Sequence, residues 1–370
     1  MDFSFTDEQQ SIADLAQQIL RDACTQERLK AAEKSDGPRF DRELWNDVSR
    51  AGLLGVAIPE ECGGGGLGFF ELALIIEQIG RTTAPIPFIE TSVLGALPIA
   101  QFGSEAQKNA LLPKVAEGAL ILTAALVEDE PTLATPDGDG WLLTGTKLFV
   151  PAAQLADRIL IPADISGGGS GVFLVDPSAD GVGIDDLETT SGQPEAVVTL
   201  DGVRVGNDDL LGDSSNGAEI TSWIELHGTA ALASLSLGVC EEALELTAEY
   251  TKTRKQFDQP IAMFQAVGHR AADAYIDTEG IRLTSWQAAW RLSAGMPAKT
   301  EVAVAKFWAA EAGSRVVHAA QHLHGGVGVD RDYPVHRCYI YARQLELTLG
   351  GGTPQLLTIG RMLADEPATV

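Results

Sequence analysis

The hydrophobic period of this chain changes twice, and that change limits the fold more than any single motif does. Up to about residue 117 apolar residues recur at helical spacing. Thr6 and Gln9 stand at capping-box distance, and Ile12, Leu15, Ala16, Ile19 and Leu20 follow at i, i+3, i+4, i+7 and i+8, which predicts an amphipathic helix. In PEECGGGGLGFFELALIIEQIG, the glycines Gly63 to Gly66 break the chain, Leu72, Ile75, Ile76 and Ile79 form a buried stripe, and Gly80 is placed as a C-terminal cap. The glycine run lacks the GK[ST] ending of a phosphate-binding loop, so it reads as a turn.

From about 118 to 216 the pattern becomes short β-branched and aromatic segments parted by Gly, Asp and Pro: WLLTGTKLFV (141–150), RILIPA (158–163), GVFLVD (171–176) and AVVTLDGVRV (196–205). The tract DISGGGSG (164–171) reads as a mobile loop between two strands. Beyond 217 helical spacing returns in long stretches at 218–253, 261–294 and 298–321, joined by short connections, as in an antiparallel bundle. The expectation is an α+β chain with an N-terminal helical domain (1–117), a middle β-domain (118–216) and a C-terminal four-helix-type bundle (217–370). No internal repeat is present.

Length and charge exclude other classes. At about 150 residues per domain, 370 residues imply two or three domains, and 45% hydrophobic residues are enough to fill them. With 52 acidic residues against 26 basic ones the formal net charge is −26, which argues against nucleic acid and anionic membrane as partners, because both need a basic face. The N-terminus MDFSFTDEQQ is acidic where a signal peptide would be basic, and no run of 18 apolar residues occurs, so a cytoplasmic location is expected. Cys24, Cys62, Cys240 and Cys338 are far apart and read as free thiols of a reducing compartment.

The segment YTKTRKQFDQPIAMFQAVGHRAAD (250–273) carries Arg-Lys-x-Phe, then a Pro and a Phe-Gln pair. Together with FDRELW (40–45), IPEECGGGGLG (58–68), LDGVRV (200–205), HGGVG (324–328) and GGTPQ (351–355), in this order, it resembles the acyl-CoA dehydrogenase family over nearly the whole chain. The resemblance implies a tetrameric FAD protein that oxidises the Cα–Cβ bond of an acyl-CoA and passes electrons to an electron-transfer flavoprotein. Such chemistry needs a carboxylate base near the α-carbon and a cradle for FAD. In this family the flavin ring is held by the β-domain of one chain, and the diphosphate and adenosine by the bundle of another.

The resemblance supplies the bundle half. Arg254 matches the arginine at the diphosphate, where a fork of N–H donors suits phosphate oxygens, and Phe257 matches the aromatic that packs on the cofactor. Gly325 and Gly326 match the glycines that let the backbone approach it, Thr353 and Gln355 persist, and the family glutamine falls on His322, beside Gln321. The flavin half departs from the pattern. The usual Thr-Glu-Pro and Gly-Ser-Asp stretch reads ALVEDEPTLATPDGDGW (125–141), and Trp-Ile-Thr reads Phe149-Val150-Pro151. The base is missing as well, since its two family positions are Gly351 and Gly228. General-base catalysis is typically worth about 10²–10⁴ in rate, so a chain without it lacks a main source of acceleration.

Glu225, one turn before Gly228 and beside His227, is the substitute base to consider, with Glu346 behind it. His318, His322 and His324 fit no strong metal template, so no metal is expected. The segment RQLELTLGG (343–351) resembles the partner chains of α2β2 acyl-CoA dehydrogenases of actinobacterial sterol side-chain degradation. The expectation is therefore a base-lacking subunit that completes the FAD site of a homologous, Glu-containing chain acting on a bulky acyl-CoA. A self-sufficient dehydrogenase using Glu225, a flavin-dependent oxidase or monooxygenase on the same fold, and a purely structural subunit stay open.

Overall fold

Each helix begins and ends where local chemistry allows it. The computed structural model describes residues 4–365. In chain order the first helices are α1 (Asp7–Ala23), α2 (Gln26–Glu33), α3 (Arg42–Arg50), α4 (Phe69–Thr82), α5 (Leu97–Phe102) and α6 (Glu105–Ala116). The capping boxes at Thr6/Gln9 and Ser104/Gln107 start α1 and α6 by satisfying amide groups that have no helical partner. Eight strands follow: β1 (Leu122–Ala124), β2 (Leu133–Asp137), β3 (Gly140–Pro151), β4 (Arg158–Ile165), β5 (Ser170–Val175), β6 (Val182–Leu187), β7 (Glu195–Gly206) and β8 (Leu210–Leu211). The long helices α7 (Gly217–Thr253), α8 (Gln265–Ser293) and α9 (Lys299–His324) come next, with a two-stranded hairpin of β9 (Lys255–Gln256) and β10 (Gln259–Pro260) after α7. The described chain ends with α10 (Val335–Leu347) and α11 (Gly352–Asp365). This is the expected sequence of helical, sheet and helical domains.

By internal contacts the chain forms two units, one of residues 1–26, 69–84 and 229–370, the other of residues 27–68 and 85–228. In the second, eight strands form one sheet in the order β6-β7-β3-β2-β4-β5-β8, with β1 added parallel to β4. Its core is built from residues such as Leu143, Ile159, Ile161, Phe173, Val198 and Val203; β7 alternates buried and more exposed positions, whereas β4 and β5 are buried along continuous apolar runs. Ile89–Ala96 forms a π-helix in the same unit.

In the first unit α4 crosses α7 at glycines. A Cβ on Gly80 would overlap the Leu235 carbonyl oxygen, and one on Gly238 would overlap that of Glu77. Gly80 is therefore not the cap of α4. The helix runs on to Thr82, and Thr83, at φ +47°, makes the left-handed turn that ends it. Two other expectations change. The buried face of α1 is Ala13, Ala16, Leu20 and Ala23, with Leu15 40% exposed. The tract at 164–171 is a closed turn, where Gly168 N–H donates to Ile165 O and Ile165 N–H to Gly169 O, while Gly167, Gly168 and Gly169 all adopt positive φ.

Beside that glycine crossing lies a buried charge cluster. Trp286 Nε1 donates to Glu77 Oε2 at 3.2 Å, Arg81 donates to Glu241 Oε2 at 2.8 Å, and Arg282 also pairs with Glu241. Burial, reinforced by the Glu241 carboxylate, pushes Glu77 up to about 8. In the unfolded chain an ordinary Glu ionises near 4.5, so between these values the folded state holds a proton that the unfolded state has lost. This contribution is complete below about pH 4.5 and is lost as pH rises toward 8, by up to about 1.4 kcal/mol per pH unit. Glu77→Gln mimics the neutral acid. Urea unfolding between pH 5 and 8 should show a flatter pH slope for this variant than for the unaltered protein; parallel slopes would mean that Glu77 is ionised in the fold.

Among the described residues no helix is long and apolar enough to cross a membrane. The four cysteines are free thiols, three of them buried, and burial raises Cys240 to about 12.

Candidate cofactor-binding site

In the first unit the segment after α7 is a tight hairpin, not an open linker. Phe257 (φ +53°) and Asp258 (φ +64°) are both left-handed, the geometry of a type I′ turn, and they connect β9 to β10. The turn presents Phe257 at 89% exposure, its ring edge-on to that of Phe264 with centroids 6.1 Å apart. Arg254, just before the hairpin, is exposed, and its guanidinium has no hydrogen bond or ion pair among the described residues. An unpaired arginine beside an exposed aromatic held in a costly backbone conformation offers an anion and a flat ring their partners.

The same unit places Gly325 at the end of α9 with φ +60° and ψ −134°, a conformation only glycine adopts readily. A Cβ on Gly325 or Gly326 would meet nothing of this chain within 4 Å, so the fold itself does not need the space beside Gly326. Gly328 differs, because a Cβ there would press on Gln321. His322 is exposed and Gln321 half-buried.

Thr353 and Gln355 belong to another neighbourhood. Glu311, on α9, fills the position of a Gly352 Cβ, which puts the start of α11 beside the middle of α9. Gly325 lies 14 residues further along, about 21 Å at helical rise. Thr353 is exposed, while Gln355 is buried and donates from Nε2 to Leu349 O at 3.2 Å. That bond, with Lys306 Nζ donating to the Leu345 and Glu346 carbonyls at 2.5 and 3.3 Å, holds the loop before α11, where Leu349 is left-handed at φ +53°. Burial lowers Lys306 to about 8, and the Glu346 charge opposes it. Gly351 lies in this loop, and a Cβ there would meet only the Glu346 carbonyl oxygen at 3.3 Å. Glu346 itself is paired to Arg343, which also donates to Ser314 Oγ at 2.8 Å.

The histidines are occupied individually. His318 meets Ser314 O at 2.7 Å through Nδ1 and the Tyr339 hydroxyl at 3.0 Å through Nε2. His324 is 2% exposed, with Nδ1 2.7 Å from Ala320 O. Among the described residues no group of three His, Cys, Asp or Glu could hold a metal ion.

In the second unit Phe149, Val150 and Pro151, which stand where the resemblance expects the flavin-side tripeptide, serve the sheet. Phe149 is 57% exposed at φ +50°, where the β3–β7 register shifts; Val150 is fully buried; and Pro151 offers only a carbonyl, which accepts Thr123 Oγ1 at 2.6 Å. Glu128 is engaged by buried Lys147 and by Thr132, and although burial opposes it, these bonds hold its pKa low. Gly228 is buried in α7. Glu225 is exposed there with no partner among the described residues, and partial desolvation raises its pKa. His227 stacks on Trp223 at 3.6 Å, and burial lowers it to about 4, so it is neutral at physiological pH. Periodicity gave no hint of Glu90, in the π-helix, which burial raises to about 7.

Comparison with known proteins decides the family. The acyl-CoA dehydrogenase N-terminal domain profile matches residues 6–119 and the C-terminal domain profile residues 216–364. Acyl-CoA dehydrogenase FadE27 of Mycobacterium tuberculosis (strain ATCC 25618 / H37Rv) is 41% identical over 379 residues, covering 100% of both chains. The chain belongs to the acyl-CoA dehydrogenase family. Among solved acyl-CoA dehydrogenases, it matches a chain of the ChsE4-ChsE5 complex from Mycobacterium tuberculosis with a TM-score of 0.95 and 42% identity, covering 100% of both. It also matches a chain of a single-substitution variant of the Tcur3481-Tcur3483 steroid ACAD with a TM-score of 0.90 and 41% identity, covering 97% of this chain and 98% of that one.

The cofactor of this acyl-CoA dehydrogenase family is FAD. The first unit suits its diphosphate end, through a free guanidinium, an exposed aromatic and a glycine with open space beside it. Pro151, where the resemblance expects a flavin-side threonine, provides neither hydroxyl nor N–H.

Proposed function

We propose that this chain is the base-lacking subunit of a heteromeric acyl-CoA dehydrogenase and completes the FAD site of a homologous subunit that carries the catalytic glutamate. The observation that carries the reading is the combination of glycine at both base positions, 228 and 351, with an unpaired Arg254. Bound FAD supplies the acceptor for the hydrogen that leaves the β-carbon. This chain's own part is binding: Arg254 donates to the diphosphate, Phe257 packs on the cofactor, and Gly326 leaves room for it. The partner's carboxylate takes the α-proton.

Two further facts support the reading. Two of the similar solved structures are named for complexes of two proteins, and one of them is described as a steroid ACAD. The first unit also exposes Tyr275, Ile276, Leu283 and Trp290 on α8, and Leu356, Leu357 and Leu363 on α11, apolar side chains that a partner subunit could cover. The substrate is then a bulky CoA thioester such as a steroid side chain, and electrons pass on to an electron-transfer flavoprotein. The whole assembly acts in the cytoplasm.

The chain purified alone should show little flavin absorbance near 450 nm and no acyl-CoA oxidation, whereas co-purification with its Glu-containing homologue should yield a yellow, active complex. Stoichiometric FAD and turnover by the lone chain would overturn the proposal. A second reading, self-sufficient catalysis by Glu225, is favoured by that residue's free carboxyl and raised pKa. Full activity in a Glu225→Gln variant would eliminate it.

A further inference from the structure

Arg254 and Gly325 end different helices, yet a diphosphate can accept hydrogen bonds from both regions only if the two ends keep a fixed separation. Charge-assisted hydrogen bonds to phosphate operate at about 2.7–2.9 Å, so a displacement of about 1 Å at either end forfeits them. The structure contains a device that ties the two ends together. His324, the last residue of α9, is buried, and its ring lies against Tyr250 with centroids 4.5 Å apart at 27°. Tyr333 closes the cluster, 5.1 Å from His324 and 6.0 Å from Tyr250.

Each ring is coupled to one part of the candidate site. The Tyr250 carbonyl accepts the Arg254 N–H at 2.8 Å, so the Arg254 backbone follows the position of Tyr250. His324 immediately precedes Gly325, whose φ of +60° and ψ of −134° set the direction of the glycine turn from the last residue of α9. Tyr333 closes the turn after those glycines, its N–H donating to Asp330 O at 3.1 Å.

The imidazole Nδ1 lies 2.7 Å from Ala320 O within its own helix, and the Leu246 carbonyl is a second backbone group acting on the ring. Burial lowers its pKa against the pull of the Ala320 and Leu246 carbonyls. A leucine would fill the same space with no ring nitrogens to satisfy, but only a planar ring offers a flat face to Tyr250.

We propose that His324, stacked against Tyr250 and Tyr333, is a positioning residue that holds Arg254 and the Gly325–Gly326 turn at the separation a dinucleotide diphosphate requires. This rests on the assignment of Arg254 to FAD made above. The test uses the complex with the Glu-containing homologue, stripped of flavin and titrated with FAD, ADP and riboflavin. His324→Ala should weaken FAD and ADP about tenfold while riboflavin, which has no diphosphate, binds as before. His324→Phe, which restores a flat ring without nitrogens, should return FAD affinity to within about threefold of the unaltered complex.

A merely structural role would weaken riboflavin and ADP alike, or leave Phe as damaging as Ala, and either result overturns the proposal. So does unchanged FAD and ADP binding in His324→Ala. If His324→Ala does not assemble, His324→Leu, which refills the volume without a flat face, takes its place with the same expected results. An Arg254→Ala arm separates the two layers of inference. Weakened FAD with Arg254→Ala but not with the His324 variants removes only the positioning role, and unchanged FAD with Arg254→Ala removes the site assignment itself.

Discussion

Arg254→Ala should strip most of the FAD from the assembled dehydrogenase. The guanidinium is exposed and has no partner among the described residues, so its removal costs this chain's own fold little. It removes charge-assisted hydrogen bonds to the diphosphate, each worth about 1.5–3 kcal/mol, which corresponds to a rise of roughly 10- to 150-fold in the FAD dissociation constant. Flavin absorbance per complex after gel filtration reads the effect directly, and titration of the flavin-free complex gives its size. Acyl-CoA oxidation should fall in proportion and recover with excess FAD. Unchanged flavin content would favour a subunit that only supports assembly.

Gly238→Ala should be the most damaging single methyl in the first unit. A Cβ at that position overlaps the Glu77 carbonyl oxygen and approaches the Arg81 nitrogen to 2.8 Å, and both obstacles are backbone that cannot rotate away. Helices α4 and α7 would have to separate, which also opens the buried cluster of Glu77, Glu241, Arg81 and Arg282. A loss of about 3 kcal/mol or more is expected, because overpacking is compounded by exposing a paired buried charge. For a chain of this size that lowers the melting temperature by about 4 °C, measurable by circular dichroism. A melting temperature within about 1 °C of the unaltered protein would show that the two helices do not meet so closely. A matched Gly325→Ala change would be read differently, since a Cβ there meets nothing and the strain lies in φ alone.

The contrast between these glycines shows what could be read from the residues. Motif order was enough to place Arg254, Phe257, Gly325 and Gly326 in one family pattern, and short β-branched and aromatic segments parted by Gly, Asp and Pro were enough to find the sheet. Gly80 was misplaced because a glycine near the end of an apolar stripe looks the same whether it caps a helix or admits a second one. Only the carbonyl of Leu235, 155 positions away in the sequence, tells the two apart. The hairpin at Phe257 was equally hidden, since Phe and Asp are not the residues usually found at two successive left-handed positions. Gln355 matched a cofactor motif, yet its amide is bonded to Leu349 O in its own loop.

The sequence by itself determined the fold class and the family, and it supplies the glycines at 228 and 351 on which the proposed absence of a base rests, because period, motif order and residue identity are properties of a one-dimensional string. Tertiary structure alone decided which groups are free to act. Glu346 and His318 are used up by neighbours, Arg254 is not, and His324 joins two helix ends that lie about 70 residues apart. The physical reason is that a side chain's availability depends on which hydrogen bonds and ion pairs it has already made. Those partners come mostly from other elements of the chain, brought near only when helices and strands pack.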